Sequence, residues 1–289
     1  MHLQIQKRIA ALYHKEPISW RKIDRGYTPA ARWAITFSDQ SSAFAKIGTT
    51  PLTSAWLRAE DKWYSQLVGD FLPKRYGFDD DPEQPILLLE DLSAAHWPPP
   101  WRPEDLSLLQ RTLHQIAATS PPKDLTSLES LRDVLCGWTE VATDPTPFLS
   151  LGLCTEAWLR AALPTLLAAQ AEAQLDGDAL LHGDARSDNL CILHGRMIFV
   201  DWNNPLRGNG LFDLAAIAPS LQLEGGPLPE ALLPDAANLA AVVSGFFAAR
   251  AGLPTIPDAP RVRWIQQQQL LTALPWAIRA LRLPPLDLP

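Results

Sequence analysis

The chain has 289 residues, enough for one large domain or two lobes, and its 47% hydrophobic residues can supply a sizeable core. A net charge of −7 and the lack of a dense Lys/Arg block argue against a nucleic-acid partner bound by charge. The N-terminus is too polar for a signal peptide and no uncharged apolar run approaches the roughly 20 residues that span a bilayer, so we expect a cytoplasmic protein without a membrane partner.

Strands and one helix alternate in the first ninety residues. The stretches "ARWAITF", "SAFAKIG" and "PILLLEDL" have strand patterns. A helix is predicted after Pro51, with Thr53 or Ser54 as its N-cap. Its sheet-facing side is predicted from the residues at helical spacing, Trp56, Ala59, Trp63 and Leu67. Residues 1–92 therefore form a small α+β lobe in this prediction.

Helical periodicity dominates from about Pro103 onward and predicts a large, mostly helical lobe over residues 93–289. One extended stretch interrupts it. There, "LCIL" and "MIFV" read as two strands of a hairpin that turns at Gly195.

Three oxygen-bearing side chains flank this hairpin. Asp184 and Asn189 precede its first strand, and Asp201 follows its second strand. Mg²⁺ prefers a few hard oxygen ligands together with phosphates and water, and a further Asp could accept the proton of an attacking hydroxyl. Alternatively, these residues cap a buried hairpin by making turns to their own backbone.

The segment "HGDARSDN", followed after the hairpin by "FVDW", resembles the catalytic signature of the aminoglycoside phosphotransferase and choline kinase superfamily. That superfamily has the bilobal fold of protein kinases, an α+β fold with a small β-rich N-lobe and a large helical C-lobe. The resemblance implies that Asp184 is the catalytic base and that Asn189 and Asp201 bind Mg²⁺. It also implies that His182 orients the loop backbone.

Two departures from the family pattern bear on the substrate. Arg186, Ser187 and Asp188 stand where many members have His-Pro-Gly, and Trp202 follows the metal Asp where protein kinases have Phe-Gly. The Trp favours a small-molecule kinase. Arg186 and Asp188 are candidates for the acceptor site, and a solvated loop pair is the alternative.

Lys46, at the end of a predicted strand, lies fourteen positions before Glu60 in the predicted helix. A kinase commonly uses a strand Lys on the nucleotide phosphates and a helix Glu to hold that Lys. We prefer Glu60 to its rival Asp61 because Glu60 lies beside the predicted Trp56 and Trp63 face. We expect this pair to be largely accessible to solvent and to contribute little to stability.

The remaining nucleotide contacts are implied by position. Gly26 and Thr28 lie where a phosphate-covering loop is expected, although the segment lacks GxGxxG and an ordinary turn is equally compatible. The backbone from Glu90 to Leu92 is expected to face the nucleotide base. Asp213 resembles the family's acid that begins a helix, and we expect it to be an N-cap or a loop anchor.

The leading hypothesis is Mg²⁺-dependent transfer of the γ-phosphoryl group of ATP or GTP to a small-molecule hydroxyl. Candidate acceptors are an aminoglycoside or other antibiotic, choline or ethanolamine, an amino alcohol, and a sugar. The alternative is a catalytically inactive nucleotide-binding or regulatory module of the same fold. A protein kinase is disfavoured because no DFG-to-APE segment follows Asp201. The sequence makes no prediction of oligomeric state.

Overall fold

The computed structural model describes residues 3–24, 30–257 and 259–287. Its contacts divide the chain into two compact units. The N-terminal unit consists of Met1–Pro98 with Asp188–Pro205, and the C-terminal unit of Pro99–Ser187 with Leu206–Pro289. The first unit is rich in β-structure and the second in helix, as the α+β prediction expects.

The strands formed by the described residues are, in chain order, β1 (Pro17–Lys22), β2 (Ala31–Phe37), β3 (Ser42–Ile47), β4 (Arg75–Asp79), β5 (Ile86–Glu90), β6 (Thr126–Ser127), β7 (Ala179–Leu181), β8 (Leu190–Leu193), β9 (Arg196–Phe199) and β10 (Leu206–Gly208). Their helices are α1 (Leu3–Tyr13), α2 (Pro51–Gln66), α3 (Pro103–Ala118), α4 (Arg132–Leu135), α5 (Trp138–Thr143), α6 (Thr146–Leu149), α7 (Glu156–Glu172), α8 (Phe212–Leu223), α9 (Pro229–Leu232), α10 (Ala237–Ala251) and α11 (Val262–Ala280). None of the helices described here is both long and apolar enough to cross a membrane.

The N-terminal unit is built on an antiparallel sheet of five strands in the order β1-β2-β3-β5-β4. Helix α1 packs against one face of this sheet, over a core formed by Ile9, Ile35, Phe37, Ala43, Ala45, Ile47, Ile86 and Leu88. Strand β5 lies between two neighbours and is buried on both faces, since Leu87 and Leu88 are both fully inaccessible. This explains its continuous apolar run in place of alternation.

Helix α2 begins two residues before the N-cap that the sequence pattern predicts. The cap is Thr50, whose hydroxyl accepts the Thr53 backbone N–H (3.2 Å), while the Thr53 hydroxyl accepts the Thr50 N–H (2.9 Å). The prediction of Thr53 or Ser54 as cap is therefore wrong. Pro51 fits the first helical position because its ring sets a helical φ and its missing N–H has no partner there to lose.

The buried face of α2 also differs from the predicted one. Trp63 and Leu67 are buried as expected, but Trp56 is 40% exposed. Leu57, Glu60 and Tyr64 are buried instead, at the spacing of successive helical turns. The face thus includes a carboxylate and a phenol, which an apolar pattern does not reveal.

The β8–β9 hairpin is part of the N-terminal unit, although the sequence pattern places it in the helical lobe. Ile192 forms a β-bridge with His96, and the Phe199 N–H donates to the Phe71 carbonyl (2.8 Å). Its two-residue turn has positive φ at both positions, 51° at His194 and 77° at Gly195, which matches the twist of a tight hairpin.

The C-terminal unit packs its helices around α10, which contacts α7 and α11 most extensively. The sequence of α10 is apolar on almost every side, as a helix surrounded by others requires. A small sheet in the order β6-β10-β7 completes this unit, and β7 leads directly into the segment that carries Asp184.

Glycine allows α5 and α10 to approach closely, as Gly245 shows. A Cβ at Gly245 would lie 2.7 Å from Cδ1 of Trp138, too close for a side chain to fit. Trp138 is fully buried there, and its indole N–H donates to the Ala241 carbonyl (3.0 Å). Gly245 therefore lets the indole pack directly on the helix backbone.

Candidate active site

Lys46 and Glu60 meet inside the N-terminal unit. Lys46 lies on β3, and its ammonium Nζ donates to both carboxylate oxygens of Glu60, at 2.8 and 2.9 Å. The two residues are only 8% and 2% exposed. The expectation of a solvent-accessible pair is therefore wrong, because Lys46 extends from the sheet face opposite Ala45 and Ile47, toward the buried side of α2.

Asp61, the alternative partner, points elsewhere. Its carboxylate accepts from the Arg75 guanidinium at 2.7 Å, a contact within the same unit. Neighbouring helix positions differ by about 100° in direction, so Glu60 and Asp61 cannot both face the sheet. The structure thus brings Glu60, and not Asp61, to Lys46.

Asp201 joins the same cluster, since the Lys46 ammonium also donates to its Oδ1 atom. Asp201 directly follows the hairpin and has a left-handed backbone, with φ of 62°. Its carbonyl accepts the Asn203 N–H (2.8 Å), and the neighbouring Trp202 is fully buried. These residues hold the backbone of Asp201, while its carboxylate is 38% exposed.

The electrostatics of this cluster are those of two carboxylates sharing one ammonium. Burial lowers the pKa of Lys46, but the charges of Glu60 and Asp201 together outweigh it, and the pKa is raised. Burial raises the pKa of Glu60, and the charge of Asp201 adds to this rise while Lys46 opposes it. With all three ionised the cluster carries one net negative charge, which favours a further cation beside it.

Asn189 lies at the same end of the hairpin as Asp201, because Leu190 pairs with Phe199. Asn189 is buried, and its backbone carbonyl accepts the Val200 N–H (2.8 Å). Among the described residues no three His, Cys, Asp or Glu side chains group as a metal site. One carboxylate and one amide still fit Mg²⁺, which binds few protein oxygens and keeps water and phosphate ligands.

Asp184 belongs to the C-terminal unit, where its side chain is 54% exposed and lies 3.7 Å from the Arg186 guanidinium. The backbone of the two residues before Asp184 is held by hydrogen bonds to Asp213. Asp213, in the first turn of α8, accepts the backbone N–H groups of His182 (2.6 Å) and Gly183 (3.0 Å). Burial raises the pKa of Asp213, against the lowering effect of His182 and these two N–H groups. Asp213 is thus a loop anchor, as predicted.

Other predicted site residues have structural contacts of their own. The Glu90 carboxylate accepts from Arg196 (3.1 Å) and from the Lys74 N–H (3.0 Å). Leu92 is buried against Cys191 and Ile198. Asp188 is exposed. The two remaining candidates, Gly26 and Thr28, lie outside the described residues.

Two residues at these sites were missed by the sequence analysis. Tyr64 is buried one helical turn after Glu60, and burial together with the charges of Glu60 and Asp201 holds the pKa of its phenol well above the ordinary value. Its spacing from Glu60 was a signal that could have found it. Glu224 accepts from the Ser187 hydroxyl at 2.5 Å, and nothing local in the sequence indicates a contact across 37 positions.

Comparison with known proteins places the chain in a family. The family model described as "Phosphotransferase enzyme family" matches residues 19–241. No curated protein sequence is significantly similar to the chain.

Solved structures of similar fold include a choline/ethanolamine kinase family protein from Mesorhizobium loti, with TM-score 0.55 and 14% identity over 96% of this chain and 98% of that one. A macrolide 2'-phosphotransferase from Brachybacterium faecium has TM-score 0.55 and 13% identity over 97% and 92% of the two chains. These similarities confirm the predicted protein-kinase-like fold. The family model covers most of the chain, and the protein belongs to the phosphotransferase enzyme family.

Proposed function

We propose that the protein transfers the γ-phosphoryl group of ATP or GTP to a hydroxyl of a small molecule, with Mg²⁺ as the metal. Membership of the phosphotransferase family supports the reaction class. The observation that carries the nucleotide part is the buried Lys46 ammonium, held by Glu60 beside the half-exposed Asp201. A fixed ammonium beside a partly exposed carboxylate suits a ligand that brings both phosphates and a metal.

In the proposed reaction, the acceptor oxygen forms a bond to the γ-phosphorus while the bond from that phosphorus to the β-phosphate oxygen breaks. The nucleoside diphosphate leaves with the electron pair. Asp184 accepts the proton of the acceptor hydroxyl, and Lys46 neutralises phosphate charge while Glu60 holds it in place. Mg²⁺, when held by Asn189 and Asp201, would neutralise the charge that develops on the phosphates.

The other predicted residues have supporting roles in this proposal. Gly26 and Thr28 cover the phosphates, and the backbone of Glu90 to Leu92 faces the nucleotide base. Arg186 and Asp188 contact the acceptor. Residues 1–92, together with the β8–β9 hairpin that belongs to the same unit, form the nucleotide-binding lobe, and the rest of 93–289 forms the lobe with the acceptor site. The proposed location is the cytoplasm, where ATP and GTP are available.

The acceptor is proposed to be a hydroxyl compound of the kinds considered from the sequence. The similar structures are named for macrolide and for choline or ethanolamine phosphorylation, which places these compounds in the first test panel. Aminoglycosides, amino alcohols and sugars complete the panel.

The proposal is tested by incubating the purified protein with Mg²⁺ and ATP or GTP and each panel compound. Nucleoside diphosphate release and a product heavier by one phosphoryl group are the expected results. Omission of Mg²⁺ should abolish both. Tight nucleotide binding without transfer to any panel compound would favour the inactive nucleotide-binding module instead.

A further inference from the structure

The carboxylate of Glu224 connects two segments of the C-terminal unit. One oxygen accepts from the Ser187 hydroxyl at 2.5 Å, and the other accepts from the indole N–H of Trp101 at 2.6 Å. Ser187 is 8% exposed, and Glu224 and Trp101 are partly buried. Hydrogen bonds to an ionised carboxylate are stronger than those between neutral groups, and here each oxygen has its own donor.

These contacts hold the segment that carries Asp184 at a second point. Asp213, in the first turn of α8, binds the backbone of His182 and Gly183, and Glu224, at the C-terminal end of α8, binds Ser187. Asp213 and Glu224 are eleven positions apart, which corresponds to about 17 Å along a helix at about 1.5 Å per residue. A single helix therefore fixes the segment before and after Asp184.

Ser187 also begins the short 3-10 turn Ser187–Asn189. A shift of Ser187 would therefore be passed along the chain in both directions, three residues back to Asp184 and two residues forward to Asn189. Reactions of this type depend on placement of the reacting groups, and a misplacement of 1 Å can cost about a hundredfold in rate.

We propose that Glu224 is a positioning residue for the phosphoryl transfer proposed above, acting through the Ser187 hydroxyl and itself oriented by Trp101. This inference rests on the proposed function for its kinetic consequence. Its structural consequence, a segment around Asp184 that is ordered before any ligand binds, is independent of that function.

The kinetic test compares Ser187→Ala, which removes the donor, with Ser187→Thr, which keeps a hydroxyl. Ser187→Ala and Glu224→Ala should each lower kcat by about tenfold or more, with the KM for nucleotide within about twofold of wild type. Ser187→Thr should recover most of the rate. The double variant should be no slower than Glu224→Ala, because the contact that Ser187→Ala removes is already lost in Glu224→Ala.

Glu230→Ala is the matched control. It removes another carboxylate of the same unit, one that accepts from Arg279 at 2.5 Å on the surface, and it should leave kcat unchanged. A fall in thermal midpoint without a fall in kcat per folded molecule would overturn the proposal in favour of a purely structural contact. A raised KM for the acceptor at normal kcat would also overturn it, since Glu224 would then be an acceptor-binding group.

Hydrogen exchange of the unliganded protein separates this inference from the proposed function. Glu224→Ala and Ser187→Ala should speed amide exchange in peptides that cover residues 182–189, whereas Asp184→Asn and Glu230→Ala should not. Faster exchange in a protein that transfers no phosphoryl group would support the positioning role of Glu224 and contradict the proposed function. Exchange equal to wild type in both Glu224→Ala and Ser187→Ala would overturn that positioning role, whatever the activity.

Discussion

Lys46 and Glu60 in the N-terminal unit are almost completely buried, whereas Asp184 in the C-terminal unit exposes about half of its side chain (54%). The first two are fixed by contacts between the charged groups themselves. Asp184 is instead fixed through its chain neighbours, which Asp213 binds. Charges that organise a site can be buried against each other, while a group that must reach a substrate stays exposed and is held by its backbone.

The largest effect in this comparison is expected at the exposed residue, Asp184. Asp184→Asn should lower phosphoryl transfer by about a thousandfold while nucleotide affinity stays near wild type, because the proposed base acts on the acceptor. Steady-state rates and calorimetric nucleotide affinity on the same preparation measure both quantities. Asp178→Asn, at an exposed carboxylate of the same unit that pairs with Arg207, is the control. Near-normal transfer by Asp184→Asn would contradict its assignment as base.

For the buried pair of Lys46 and Glu60, we test the free energy of unfolding instead of the rate. Lys46→Met leaves Glu60 buried without its ammonium partner, which should lower the free energy of unfolding by about 3 kcal/mol at neutral pH. Adding Glu60→Gln removes the uncompensated charge and should recover much of that loss. Urea unfolding without ligands measures both variants. If the single and double variants are equally stable, the pair is not desolvated as its burial indicates.

Asp201, the proposed metal ligand, is the most exposed member of the cluster that it forms with Lys46 and Glu60. Asp201→Ala should weaken nucleotide binding at least about tenfold with Mg²⁺ and much less without it, since Lys46 and Glu60 remain. Calorimetry in Mg²⁺ and in EDTA makes this comparison. Asp61→Ala removes a carboxylate of the same unit that pairs with Arg75, and it should keep the Mg²⁺ effect. Loss of the effect in Asp61→Ala, or its retention in Asp201→Ala, would contradict the assignment.

The smallest effect is expected at an exposed ion pair. Arg160 and Glu156 lie 2.8 Å apart on α7 with side chains 77% and 70% exposed. Arg160→Ala should change the free energy of unfolding by no more than about 0.5 kcal/mol, because water and salt screen such a pair. A loss as large as that of Lys46→Met would mean that burial does not explain the difference between the two pairs.

The sequence predicted the elements whose signals are local. Strands β2, β3, β5, β8 and β9, the helix after Pro51 and the turn at Gly195 follow from periodicity and turn chemistry over a few residues. The pairing of Lys46 with Glu60 was also predictable, because the resemblance to kinases implies that a Lys on a strand is held by a Glu on a helix.

The remaining features depend on tertiary contacts. Trp56 matched an apolar helical pattern but is exposed, because the sheet contacts a face of α2 that includes Glu60 and Tyr64. The grouping of the hairpin with the N-terminal unit comes from the contacts of Ile192 with His96 and of Phe199 with Phe71, 96 and 128 positions apart. No pattern within a short window encodes such contacts.

The most direct test of the account is a double-mutant cycle on the nucleotide-dependent transfer rate. If Lys46 acts on the phosphates and Glu60 holds it, Lys46→Ala and Glu60→Ala disable one arrangement, and the double variant should be no slower than the slower single variant. Rates are compared per folded molecule, since both changes affect a buried pair. If the two rate losses multiply instead, Lys46 and Glu60 act independently, and the buried cluster is not the working unit proposed here.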